Sequence, residues 1–229
     1  MRRTLALLVA LALPCTSSAH DLWLEREPDG LVLRYGHRGG DALPVEAAKV
    51  KAARCLEQGA ARDLLASARF DPRQVTFAGR CDAASAHLDG GYWTLTPDGE
   101  VNRPKDEVPQ AVKAWASRQF AKWVDARARA APAIVFGDEL ELVVASDLTK
   151  AREGDKITVR VLSGGRPVPD AVVAIDHKPL GESDSRGEVR VKLRSSAVET
   201  VSATLRRKLA SPKADAEVLE ASLTFEVAR

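Results

Sequence analysis

Residues 152–176 read REGDKITVRVLSGGRPVPDAVVAID, and the fold turns on how that stretch is read. DKITVRVL (155–162) alternates charged and β-branched residues, which sets one strand face in water and one in a core. SGGRPVP (163–169) is turn chemistry, and DAVVAID (170–176) is a second short apolar run. The same texture continues outward. DELELVVA (138–145) precedes it; GEVRVKL (187–193), TVSATLR (200–206) and EASLTFEV (220–227) follow, with turn signals at EGD (153–155) and SDSRG (183–187). Short strands so punctuated predict an antiparallel β-sandwich over 138–229.

The first half, 20–130, is predicted to be a second β-rich domain. HDLWLE and LVLRYGH flank the turn PDG, where Pro28 presets its backbone angle and Gly30 is free to take a left-handed conformation. AHLDGGYWTL (86–95) predicts another hairpin, turning at Asp89 and Gly90. Residues 47–70 fit helix by their alanines and strand by alternation around Val50 and Cys55. DEVPQAVKAWASRQFAKWVDARARA (106–130) has a plausible N-cap in Asp106, a first-turn proline and helical apolar spacing. The expected fold class is therefore mainly β: two antiparallel β-sandwich domains, transthyretin- or immunoglobulin-like, with a short helix before a linker at 131–137.

Ahead of both lies a leader. Arg2 and Arg3 precede an apolar run, Leu5–Leu13, that is too short to span a bilayer; Pro14 ends it, and Ser17 and Ala19 suit a signal peptidase. Residues 1–19 read as a cleavable signal peptide, which implies a periplasmic protein beginning at His20 and not spanning the membrane. The chain of 229 residues carries a formal charge of +2, and loss of Arg2 and Arg3 leaves it near neutral, which argues against a nucleic-acid partner. Of three cysteines, Cys15 leaves with the leader; Cys55 and Cys81 remain and are expected to be bridged.

Taken in order, AHDLWLE, LVLRYGH, GDELELV, REGDKITVRVLSGGRPVPDAVV, SDSRGEVRV and EASLTFEV resemble a periplasmic family described as the periplasmic component of nickel/cobalt transport systems of the energy-coupling-factor type. GxPVPxAxV followed by DxxG is also shared by carboxypeptidase-regulatory-like sandwiches. The resemblance implies a divalent-metal protein, nickel or cobalt favoured, that works with an inner-membrane uptake transporter. It matches His37 to the family's second-strand histidine. It also implies a strand near ASRQFAKWVD (116–125), which restricts the expected helix to 106–116.

The residues carry their own metal chemistry. Cleavage before His20 frees an α-amine beside an imidazole, and the two nitrogens can chelate one ion. The amine's ordinary pKa, ~7.7–8.0, lets it lose a proton near neutrality. Such a pair suits copper, nickel, cobalt or zinc without choosing among them. The amino-terminal copper/nickel motif needs histidine third, where Leu22 stands. Pairing Glu27 with Leu31 would set Asp21 opposite His37 and bring His20 and His37 to one hairpin mouth. Asp21 then ligates or orients a ring. His87, expected opposite Tyr92, is a third candidate. His177, in DHKP, reads as a surface residue outside the site. Trp23, Tyr35, Tyr92 and Trp93 read as packing. No GxSxG, HExxH or phosphate loop is present, so side-chain catalysis is not expected. Two other functions fit parts of this pattern: a copper histidine-brace oxidoreductase, and a sandwich module that binds protein or glycan without metal.

Overall fold

The computed structural model describes residues 20–40, 42–194 and 197–227; the leader expected over 1–19 lies outside the described residues. Most of the described chain is strand, in three sheets, and its helical segments are short 3-10 turns. A five-stranded sheet orders Asp21–Glu27, Gly30–Gly36, Gln74–Ala78 and Arg69–Asp71, with Ala42–Leu43 beside the second. A nine-stranded sheet orders Lys178–Glu182, Val172–Ile175, Val198–Ser211, Ala214–Glu226, Lys113–Val124, Ala83–Thr96, Val50–Glu57 and Ala60–Asp63, with Gly99–Val101 on Ala83–Thr96. A four-stranded sheet holds Glu141–Val144, Lys156–Ser163, Arg166–Pro167 and Glu188–Lys192.

The large sheet is the middle layer, because its two faces bury different cores. Ala121 and Trp123 pack with Leu22, Leu24, Leu31, Leu33, Val75 and Phe77 of the five-stranded sheet. Phe120 and Val124, on the opposite face of the same strand, pack with Leu142, Ile157, Val159 and Val161 of the four-stranded sheet and with Leu140 just before it. Each fully buried large side chain contributes roughly 1.5–3 kcal/mol over its exposed state.

The strands expected from 138 onward all form, and two that the sequence did not signal, Arg166–Pro167 and Lys178–Glu182, join them. The large sheet takes strands from both halves. Lys113–Val124 pairs in parallel with Ala214–Glu226, Trp115 opposite Ala216 and Val124 opposite Phe225. Main-chain hydrogen bonds therefore join the halves, not the linker alone.

The helix expected over 106–116 is absent. Lys105–Glu107 makes one 3-10 turn, and strand begins at Lys113. Pro109 disfavours helical geometry at Val108, which is extended (φ −117°, ψ 113°). The strand near 116–125 that the family resemblance implies is present. Residues 47–70 resolve as strands Val50–Glu57 and Ala60–Asp63 followed by a short 3-10 turn.

The hairpin expected at 86–95 is also absent. Ala83–Thr96 runs straight through it, and the neighbouring strand shifts register between Ser117 and Arg118, facing Gly91 and Asp89. Gly90 is the extra residue of this bulge, and a β-carbon there would stand 2.9 Å from Ser117 Oγ. Gly30 has a similar steric reason: a β-carbon would meet the Phe77 carbonyl oxygen at 2.1 Å.

Cys55 and Cys81 are bridged, their α-carbons 5.5 Å apart. Reduction should cost about 3–4 kcal/mol in the chain-entropy account, read as a lower urea midpoint. An unchanged midpoint would count against the bridge.

Candidate functional site

The first hairpin pairs one residue differently from expectation. Glu27 faces Gly30, Leu22 faces Tyr35 and Asp21 faces Gly36, because the connection is the two-residue turn Pro28–Asp29. Continued by one residue, this register sets His20, rather than Asp21, opposite His37. The two rings lie 4.9 Å apart between centroids, and the Tyr35 ring meets His20 edge-on at 5.5 Å.

The large sheet anchors this end of the hairpin through side chains. Gln119 Nε2 donates to the His20 carbonyl at 2.6 Å and to Glu220 Oε2 at 2.8 Å; Ser222 Oγ donates to the Leu22 carbonyl at 2.5 Å. Gln119 and Glu220 are register partners and share a face. Gln119 is buried, and its Oε1 has no hydrogen-bond partner.

His177 reaches the same place from the other half of the chain. Val172–Ile175 and Lys178–Glu182 are joined by the two-residue turn Asp176–His177, both residues left-handed (φ 47° and 59°). His177 is on the surface, as expected, but it faces the cluster. Its Nε2 lies 3.1 Å from Asp21 Oδ2, and its ring centroid lies 6.1 Å from that of His37. A cleft of about 240 Å³ opens here, lined among others by His20, Asp21, Gln119, His177 and Glu220. Arg38 and Asp176 border Asp21 in a smaller adjoining pocket.

His87 lies elsewhere. It pairs with Phe120, not Tyr92, and stacks on the Phe120 ring at 4.6 Å. Phe120 and Gln119 are adjacent in one strand and point to opposite faces, so His87 sits across the large sheet from His20. The candidate site is thus His20, Asp21, His37 and His177, with Gln119 and Glu220 behind them. The sequence reading set His177, in the turn-like DHKP, outside the site, and nothing there signalled Glu220; the strand pairing of the 172–182 hairpin brings His177 to the cluster.

Burial lowers the His20 pKa below its ordinary value, and the neighbouring His37 adds to this; Asp21 and Glu100 oppose it. The neutral, ligating form is therefore favoured. Burial raises the carboxyls of Asp21 and Glu220 above the usual range, against His177 in the first case and Gln119 in the second. A carboxyl raised by folding lowers stability as pH rises from its unfolded toward its folded pKa. Glu220→Gln should consequently raise the melting temperature of metal-free protein at neutral pH, and the gain should vanish below the ordinary carboxylate range. A gain that persists at low pH would assign the effect to something other than this charge.

Among the described residues, no group of three or more His, Cys, Asp or Glu side chains is already set to hold a metal ion. The His20 and His37 ring centroids nevertheless lie 4.9 Å apart.

Fold and cluster together define a β protein, layered in three sheets, with histidines gathered where the N-terminal hairpin meets the middle sheet. A family model described as a domain of unknown function (DUF4198) matches residues 17–205. The chain belongs to that family, and the match takes in all four histidines and both bridged cysteines. No curated protein matches the chain. Among the described residues, no helix is long and apolar enough to cross a membrane.

Proposed function

We propose that this is an exported divalent-metal-binding protein. Cleavage after Ala19 gives His20 a free amine; that amine, the His20 ring and the His37 ring bind one ion. The observation that carries the reading is the pairing of His20 with His37 at one hairpin end, their rings 4.9 Å apart. With bonds of ~2.0–2.1 Å, the centroids of two imidazoles on one ion stand roughly 4–6 Å apart. The Cys55–Cys81 bridge suits an oxidising compartment such as the periplasm.

The donors on offer are neutral nitrogens, which suit nickel, cobalt, copper and zinc over magnesium or calcium. The resemblance to periplasmic components of nickel/cobalt transport favours the first two, and an inner-membrane uptake transporter as the recipient. Asp21, 3.1 Å from His177, serves this site by orienting a ring.

The direct test is titration of exported, N-terminally verified protein with nickel and cobalt, alongside metal analysis of protein purified without chelators. One tight equivalent, weakened by His37→Ala and untouched by His87→Ala, is the expected result. No binding by the processed protein would end the proposal.

A further inference from the structure

We infer that His177 is a third nitrogen donor to the ion held by His20 and His37, so that the ion ties the N-terminal hairpin to the hairpin of residues 172–182. This rests on the metal-binding reading above.

Three observations carry it. First, the His177 and His37 centroids are 6.1 Å apart, at the outer edge of the span two imidazoles on one ion can cover, roughly 4–6 Å. Second, Asp21 Oδ2 stands 3.1 Å from His177 Nε2. A carboxylate there draws the ring proton onto Nε2 and leaves the Nδ1 lone pair for the ion, the arrangement in which ligating histidines are usually held. Third, the turn that presents the ring is strained. Both of its central residues are non-glycine with positive φ, where Asn-Gly would be easier. Non-glycine residues are uncommon in this region, and strain of this kind gathers at ligand sites.

The consequence is mechanical. His20 and His37 belong to the five-stranded sheet's hairpin, whereas His177 belongs to an outer hairpin of the nine-stranded sheet. An ion bound to all three fastens one sheet to the other at the cleft.

The experiment compares processed wild type, His177→Ala, His177→Asn and a form with one residue added before His20. Asparagine tolerates the left-handed turn, so His177→Asn removes the ring without adding strain. Nickel affinity should fall about tenfold or more in both His177 variants. In copper(II)-loaded protein, electron paramagnetic resonance should lose the coupling of one nitrogen. The nickel-induced rise in melting temperature should shrink, while the metal-free melting temperature of His177→Asn stays at the wild-type value. Wild-type affinity and an unchanged copper spectrum in both variants would overturn the assignment of His177 and leave the His20–His37 site standing. Weakened binding with an unchanged nitrogen count would overturn it too, making His177 a positioning residue. If the extended form binds like wild type while the His177 variants do not, the amine reading fails and the His177 assignment survives. If wild type binds no nickel, both fall.

Discussion

A single residue added in front of His20 should remove most of the processed protein's metal affinity while leaving its fold untouched. The addition keeps every side chain and converts one amine into an amide, whose nitrogen is a poor donor to a divalent ion. The chelate formed by the amine and its own ring is then lost, and His20 is left as an ordinary imidazole. A loss of about a hundredfold, roughly 3 kcal/mol, is expected for nickel, comparable to His20→Ala. Metal-free thermal stability should not change, because His20 is anchored through its carbonyl, which accepts from Gln119 Nε2 at 2.6 Å. The pH dependence separates the two forms further. Protons compete for each nitrogen, so affinity rises with pH until the donors are neutral. For the ring of His20, burial and His37 move that competition below the ordinary histidine range. For the amine it continues up to ~7.7–8.0. The processed protein should therefore keep gaining affinity between pH 7 and 8, and the extended one should not. Isothermal titration across that range reads both effects. Equal affinity in the two forms would remove the amine from the ligand set.

The same geometry explains what could be read from the sequence. Strands such as Lys156–Ser163 and Glu188–Lys192 were legible because each lies between one core and solvent and so alternates, whereas Glu141–Val144 and residues 221–225 of Ala214–Glu226, buried throughout, were legible as short apolar runs between turn signals. Lys113–Val124 was not, because it lies in the middle of a buried sheet. Gln119 to Val124 are all buried, so no polar face marks the strand. Its two buried polar residues there are matched by partners far away in sequence, Gln119 by Glu220 and Lys122 by Glu141. The hairpin at 86–95 failed for a related reason: Asp89 and Gly90 are as suited to a bulge as to a turn, and only the neighbouring strand decides between them. The partnership of His20 with His37 was legible from local pairing, within one residue of the true register. That of His177 was not, since 140 positions separate it from His37 and only the sheet order brings them together.

Glu141→Ala should be among the most destabilising single substitutions in the molecule, at about 3–5 kcal/mol. Lys122 and Glu141 form an ion pair on the face of the large sheet opposite the cluster of His20, His37 and His177, with side chains 4% and 1% exposed and Nζ 2.7 Å from Oε1. Burial lowers the lysine pKa, and Glu141 is its chief compensation. The carboxylate does more than neutralise. It accepts from the Phe136 amide at 2.8 Å and 3.0 Å and from the Gly137 amide at 3.0 Å, while Lys122 Nζ also donates to the Ile134 carbonyl. Arg54 reinforces the same segment by donating to the Phe136 carbonyl at 3.0 Å and pairing with Asp138, which also accepts from Ser85 Oγ at 2.7 Å. The GDELELV stretch thus latches the connection between the halves onto the large sheet. Alanine at 141 strands a buried ammonium and two backbone donors together. Lys122→Met combined with Glu141→Gln removes both charges and keeps an acceptor for the amides, so it should cost far less than Glu141→Ala alone. Urea denaturation of the single and double variants gives the comparison. A double variant as unstable as Glu141→Ala would mean that the stranded charge does not set the loss. Because the latch and the histidine cluster lie on opposite faces, the folded Glu141→Ala protein should still bind nickel with wild-type affinity, which separates loss of scaffold from loss of site.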